Sequence, residues 1–416
     1  IHKIDADKTL INTINKQITN SNGKGLIGCL KDGVEVGNNI KFKLMYQIPS
    51  TTKNPELNKQ YQANTLSVMK EVNCTPKERV DLVIFLNGLA IISFELKCNP
   101  AGQTYKNAIE QYRNDRSYNN RLFKFKAGCL VNFALDLEEV YMCSKLEGKD
   151  SFFLPFNMGQ GEGINAGAGN PTPNDNYPTH YMWDQILQKD NLLELIGKFV
   201  FIDKQETINE QTGKRKVKEI LVFPRFHQLD AIQKILADVK DNHSDCNYLI
   251  QHSAGSGKTY TIAWLAHRLA SIHDHDDKVV YDSVLVVTDR VVVDRQLQNA
   301  IRALDHKEGF IKVMDDSCTS ADLADAINGR TKIIGTTIQK FRFILDEVKN
   351  LKDRKFAIII DEAHSSTAGK NMLAANIALG DFDEKVVDTD NTIPNQYDEI
   401  EKELEKTGKP KSYLAN

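Results

Sequence analysis

Ser253-Ala254-Gly255-Ser256-Gly257-Lys258-Thr259 stands between an apolar strand-like run, Tyr248–Gln251, and a helical pattern, Thr261–Leu269. A strand that turns through glycines into a helix aims successive backbone N–H groups, and the positive helix end, at a polyphosphate. Gly255 and Gly257 admit a close backbone approach, Lys258 can hold the β and γ phosphates of ATP, and the Thr259 hydroxyl can sit on magnesium (Mg2+). The longer form of this loop begins with glycine where this chain has His252, so the match is to its GxGK[ST] core. Downstream, Ile358-Ile359-Ile360 runs into Asp361-Glu362-Ala363-His364. There Asp361 can hold the magnesium, directly or through water, and Glu362 can polarise an attacking water. Alone, that segment reads as a strand end and a solvated acidic turn; the glycine loop upstream argues for the chemistry.

A second set lies nearer the start. Val80–Leu86 and Leu89–Leu96 are apolar runs joined by Asn87-Gly88, a dipeptide that supplies the positive φ angles of a tight hairpin turn. Asp81 opens the first run; Glu95 and Lys97 close the second on one face, because side chains two apart in a strand share a face. A strict two-residue turn pairs Asp81 with Phe94 and puts the carboxylates on opposite faces. A three-residue turn with a bulge pairs Asp81 with Glu95, so the chemistry predicts the bulge. Two carboxylates and a lysine on one sheet edge can hold Mg2+, orient a water against a phosphodiester and neutralise the charge growing on it. The rival is an exposed Glu/Lys strand face, against which stands the apolar character of both strands.

The elements that must position these residues divide the 416-residue chain into an α/β domain (1–154), a linker with a connecting helix and loop (155–218), a parallel-sheet domain (219–380) and a polar tail (381–416). The Gly-, Asn- and Pro-rich stretch 155–178 marks the linker, and Met182–Val200 reads as one helix. No helix period is legible at the start. Beyond Glu219, strands alternate with helices, as in a parallel sheet with crossover connections. The 53 Lys and Arg nearly balance the 56 Asp and Glu, which excludes a purely electrostatic nucleic-acid binder, so any DNA contact must be local. No apolar run reaches the roughly 20 residues needed to span a bilayer. The seven cysteines are scattered and form no CxxC pair, so neither a disulfide framework nor a zinc site is expected, and a reducing cytoplasm is.

The glycine loop, Asp361–His364 and Thr336–Phe341 together resemble the first RecA-like domain of a superfamily 2 helicase. Val284–Thr288 with Asp289-Arg290 resembles that superfamily's DNA-contacting segment, and Phe223–Gln228 resembles its adenine-recognition segment, with Gln228 able to pair with an adenine edge and Arg225 as its companion. The resemblance makes His364 a coupler between nucleotide state and DNA. Asp81, Glu95 and Lys97 resemble a PD-(D/E)xK nuclease site, with Val80 where that pattern usually has proline. The combination is similar to the restriction (R, HsdR) subunit of type I restriction-modification enzymes; Asn87–Lys97, Gly102–Arg116, Phe153–Asn157 with Gly167–Pro171, and Ile250–Thr259 carry the likeness. It implies an α/β fold with a PD-(D/E)xK nuclease-like domain followed by a RecA-like one, ATP-driven translocation along double-stranded DNA, Mg2+-dependent cleavage, and partner methyltransferase and specificity subunits. The family's QxxxY motif has no satisfied register: Ala108 stands four before Tyr112, and Asp115 four after Gln111. Tyr112 and Gln111 therefore read either as supports of the nuclease or, for Tyr112, as packing against the sheet. No counterpart of a second RecA-like domain, with its arginine finger, is read before Asn416. The alternatives are a non-catalytic nucleotide-binding assembly module and a stand-alone helicase fragment.

Overall fold

The computed structural model describes residues 3–37, 40–49, 53–161, 167–208, 215–242, 247–253, 255–288, 295–304, 309–314, 318–337, 354–361 and 413–415. Ile1–Gly161 with Asn165–His227 form one compact unit, and Gln228–Asn416 belongs to a second.

The first unit opens with α1 (Lys3–Thr19) and α2 (Gly25–Asp32). The α1 helix escaped the sequence reading because its inward stripe is narrow, with Leu10 and Ile14 half-buried and Ile18 buried among polar neighbours. Strands β1 (Val34–Val36) and β2 (Ile40–Phe42) pair as a short antiparallel ribbon. Helix α3 (Pro55–Gln62) starts at Asn54, whose side chain accepts from the backbone N–H groups of Glu56 and Leu57. A six-stranded sheet follows, built from β3 (Leu66–Thr75), β4 (Glu78–Leu86), β5 (Leu89–Leu96), β6 (Val131–Leu135), β7 (Val140–Cys143) and β8 (Leu154–Pro155) in that spatial order. Only β5 and β6 run parallel, and a parallel neighbour needs a crossover connection. That connection carries α4 (Tyr105–Asn114), capped by reciprocal hydrogen bonds between Thr104 and Asn107. Ala108, Ile109 and Tyr112 of α4 pack with Val80, Val83 and Ala134 on one face of the sheet. On the other face Phe94 stacks on Phe133 at 5.4 Å between ring centres.

Of the stretch expected to be a linker and connector, the described residues 155–161, 167–208 and 215–218 fall in this compact unit. Phe156 is fully buried against Phe133, and the Tyr181 hydroxyl donates to the Phe156 carbonyl. The single helix expected over Met182–Val200 is three pieces: a π-helical turn (Met182–Ile186), α5 (Lys189–Glu194) and a second π-helical stretch (Leu195–Phe199). The break falls at Gln188, whose ψ of 142° is extended. The basic stretch after it is an antiparallel hairpin of β9 (Phe201–Ile208) and β10 (Arg215–Val222), and Phe223 and Phe226 then pack on Phe133 and Phe156. The first compact unit runs through His227.

The second unit comprises α6 (Phe226–Asn242, from Gln228 on), β11 (Leu249–Gln251), α7 (Lys258–Ala270), β12 (Ser283–Thr288), α8 (Arg295–Leu304), β13 (Ile311–Val313), α9 (Ser320–Asn328), β14 (Ile333–Thr337), β15 (Phe356–Ile360) and β16 (Tyr413–Ala415). Strands β13, β14, β12 and β15 form an all-parallel sheet in that order. Every residue of β12 and β14 is buried, as expected where helices cover both faces. Among the described residues β11 pairs in parallel with β16 rather than with this sheet. Within the polar tail, Tyr413-Leu414-Ala415 is too short to stand out as a strand, yet it lies beside the strand that leads into the glycine loop. Among the described residues no helix is long and apolar enough to cross a membrane.

Candidate functional site

The β4–β5 hairpin brings the two acids together through a bulge, at a different place from the one expected. Leu86 pairs directly with Leu89, so the turn is a strict two-residue one, with φ of 50° at Asn87 and 82° at Gly88. The extra residue is Ile91, between the pairs Phe85↔Ala90 and Ile84↔Ile92. Beyond it the register runs Val83↔Ser93 and Leu82↔Phe94, where the pairing ends, and the Asp81 side chain reaches across to the Leu96 N–H. One inserted residue thus turns Ser93 to the face of Val83, and Asp81 and Lys97 both lie near enough to Glu95 to act on its charge.

Helix α4 and the loop after it cover this face. Lys97 Nζ donates to Gln111 Oε1 at 2.6 Å. The Tyr112 hydroxyl is 2.9 Å from Ser93 Oγ, and Ser93 donates to Asn132 Oδ1 at 2.7 Å. Burial holds the Tyr112 phenol well above its ordinary range, with the nearby Glu95 charge adding to this, so it serves as a neutral hydroxyl. Asp81 Oδ2 accepts from the backbone N–H of Leu96 at 2.7 Å. Glu95 is fully buried, and its Oε1 accepts from Arg116 Nε at 2.7 Å. Burial pushes the Glu95 carboxyl up to about 7, opposed by the Arg116 hydrogen bond and charge; Asp81 adds to the rise and Lys97 opposes it. The second oxygen, Glu95 Oε2, is buried without a hydrogen-bond partner among the described residues. No group of three or more His, Cys, Asp or Glu that could hold a metal forms among the described residues.

Arg116 was missed in the sequence. It lies 21 positions from Glu95, just past the end of a helix, and nothing local marks it out. The only available signal was a buried-strand glutamate that needs a cation.

In the second unit the glycine loop joins β11 to α7. Gly255 and Gly257 have φ of 75° and 92°, and a Cβ at Gly257 would fall 2.6 Å from Gln228 Nε2. Helix α7 begins at Lys258, so Lys258 and Thr259 occupy its first turn, and Ser256 beside them is buried. Gln228 Nε2 donates to the Gly257 carbonyl at 2.9 Å and to Thr261 Oγ1 at 3.3 Å. The glutamine expected at adenine is therefore tied to the phosphate loop itself. Arg225 is half-buried in the first unit. Helix α7 packs against β12, β14 and β15. Asp361 follows β15, and its N–H extends the pairing by donating to Val287 O at 2.9 Å. Ala254, Asp289, Arg290, Ile338–Phe341, Glu362 and His364 lie outside the described residues.

Two family models match this chain: the type I restriction enzyme R protein N terminus over residues 2–151, and the SWI2/SNF2 ATPase over residues 227–389. A Mycoplasma pneumoniae protein named as the C-terminal part of a type I restriction enzyme endonuclease subunit is 30% identical over 213 residues, 47% of this chain and 89% of that protein. A Methanocaldococcus jannaschii type I restriction enzyme endonuclease subunit is 23% identical over 402 residues, covering 88% of this chain and 35% of the relative. A Staphylococcus aureus type I restriction enzyme endonuclease subunit is 22% identical over 320 residues, 75% of this chain and 30% of the relative. The chain belongs to the family of type I restriction enzyme endonuclease (R) subunits. It spans about a third of the length of the long relatives it matches.

Proposed function

We propose that this chain carries the endonuclease domain, of PD-(D/E)xK type, and the first RecA-like motor domain of a type I restriction R subunit, cleaving double-stranded DNA at Asp81, Glu95 and Lys97 and using ATP for translocation. The observation that supports this reading is Glu95 Oε2, a buried acceptor without a partner among the described residues, close enough to Asp81 for the two charges to interact. An unsatisfied buried carboxylate oxygen is costly, and an oxygen-only pair suits a hard divalent cation such as Mg2+. Bound there, that cation supplies an activated water and charge neutralisation at a phosphodiester. The protein's own share is to hold the ion with Asp81 and Glu95 and to set the Lys97 ammonium, steadied by Gln111, where charge grows on the phosphate.

For the nucleotide, the positive-φ turn at Gly255 and Gly257 exposes backbone N–H groups to the phosphates, beside Lys258. Thr259 and Asp361 hold the magnesium, Glu362 orients the water and His364 couples the site to DNA. Gln228 links adenine recognition to the phosphate loop, with Arg225 as companion. Methyltransferase and specificity subunits supply base reading in the cytoplasm. The test is supercoiled-plasmid cleavage by a reconstituted complex containing Lys97→Ala: cleavage is lost while DNA-stimulated ATP hydrolysis persists. Undiminished cleavage refutes the site and favours a nucleotide-binding assembly role.

A further inference from the structure

The β4–β5 ladder pairs no residues beyond Leu82↔Phe94, and Arg116 bridges the two strands where it stops. Arg116 Nη2 donates to the carbonyl of Arg79 on β4 at 2.6 Å, and Nε donates to Glu95 Oε1 on β5 at 2.7 Å. A third, longer bond runs from Nη1 to the Asp115 carbonyl at 3.4 Å. The side chain is 5% exposed and its partner Glu95 0%, so neither samples other rotamers against water. A guanidinium is planar with its donors in a fixed fork, so acceptors on two strands set its plane, and that plane sets the carboxylate it touches. Each acid of the site is thereby anchored by one oxygen: Glu95 Oε1 by Arg116, and Asp81 Oδ2 by the Leu96 N–H. Glu95 Oε2 is left without a partner among the described residues.

We propose that Arg116 is a positioning residue of the carboxylate site, clamping Glu95 so that the single oxygen Oε2 is presented to a divalent cation. This rests on the reading of Asp81 and Glu95 as cation ligands. Partners that orient ligands typically change metal affinity about 10–100-fold when removed. Neutralising a buried acid needs only the positive charge, which Arg116→Lys keeps, whereas the clamp needs the planar fork, which that variant loses, so Arg116→Lys separates the two roles.

The test is calorimetric titration of the 416-residue chain with Mn2+ in the absence of nucleotide, with the electron spin resonance of bound Mn2+ as a second readout. Arg116→Met, close in volume and uncharged, weakens Mn2+ binding at least tenfold, as do Asp81→Asn and Glu95→Gln. In the Glu95→Gln background Arg116→Met adds no further loss, because the arginine acts through that carboxylate. Arg116→Lys keeps the charge but cannot span both acceptors, and it binds several-fold more weakly; it decides the matter if circular dichroism shows Arg116→Met unfolded. Parental or tighter binding by Arg116→Met, or parental binding by Arg116→Lys, alongside losses in Asp81→Asn and Glu95→Gln, overturns the clamp and leaves the site standing. Parental binding by Asp81→Asn and Glu95→Gln overturns the site itself.

Discussion

The buried Glu95 carboxyl makes the stability of the first unit depend on pH in a defined direction. Its ordinary value of 4.5 is raised to about 7 in the fold, first by burial. Between those values the folded chain keeps a proton that the unfolded chain has released, so stability is complete below about pH 4.5 and falls as pH rises to about 7. At roughly 1.4 kcal/mol per pH unit, the loss across that window is about 3 kcal/mol. The chain has two tryptophans. Trp183 lies 5.8 Å, centre to centre, from Phe94, on the sheet face opposite Glu95, so Trp264→Phe leaves one fluorophore that reports on the first unit. Urea unfolding of this variant, followed by Trp183 fluorescence in chelator from pH 5 to pH 8, shows a falling midpoint; the same variant with Glu95→Gln shows a flatter one. Magnesium at millimolar concentration reduces the fall, because an ion that binds only the folded, ionised form adds stability where the proton has been lost. Equal pH dependence with and without Glu95 refutes the reasoning.

Tyr112→Phe removes the hydroxyl contact with Ser93 and costs about 1 kcal/mol of stability, measured by the same urea titration, while plasmid cleavage stays within a few-fold; a hundredfold loss of cleavage refutes a packing role. Gly257→Ala forces a left-handed φ of 92° on a residue with a side chain and drives its Cβ against Gln228, so the affinity for a fluorescent ATP analogue falls at least tenfold; unchanged affinity refutes the cradle. Lys258→Ala abolishes binding of the analogue and leaves the pH dependence of the Trp183 transition as it was, since the two residues belong to different compact units.

Much of this architecture is legible in the sequence because local signals agree with tertiary ones. Apolar runs bounded by Asn87-Gly88 give β4 and β5, and strand-helix alternation gives the parallel sheet. Where the local signal is weak, the reading fails for an identifiable reason. The α1 helix is polar around most of its circumference, and the Met182–Val200 run has helical spacing but is interrupted at Gln188. The Gly-, Asn- and Pro-rich segment looks like a spacer, although Phe156 within it and Tyr181 just after it are buried in the first unit's core.

The site itself is partly legible, and the division follows the range of the interactions. Asp81, Glu95 and Lys97 lie within one hairpin, so alternation and chemistry together demand an inserted residue, even though the sequence does not say whether it sits in the turn or at Ile91. The turn closes on Asn87 and Gly88 alone, both at positive φ, so the extra residue falls in the strand, where Ile91 is fully buried. Arg116 belongs to another class of information. Its donors meet Arg79 and Glu95 only after α4 has crossed the sheet and brought the loop back over β4 and β5. The proposed carboxylate pattern can thus be read along one hairpin, whereas the guanidinium that bonds to Glu95 comes from the crossover that makes β5 and β6 parallel.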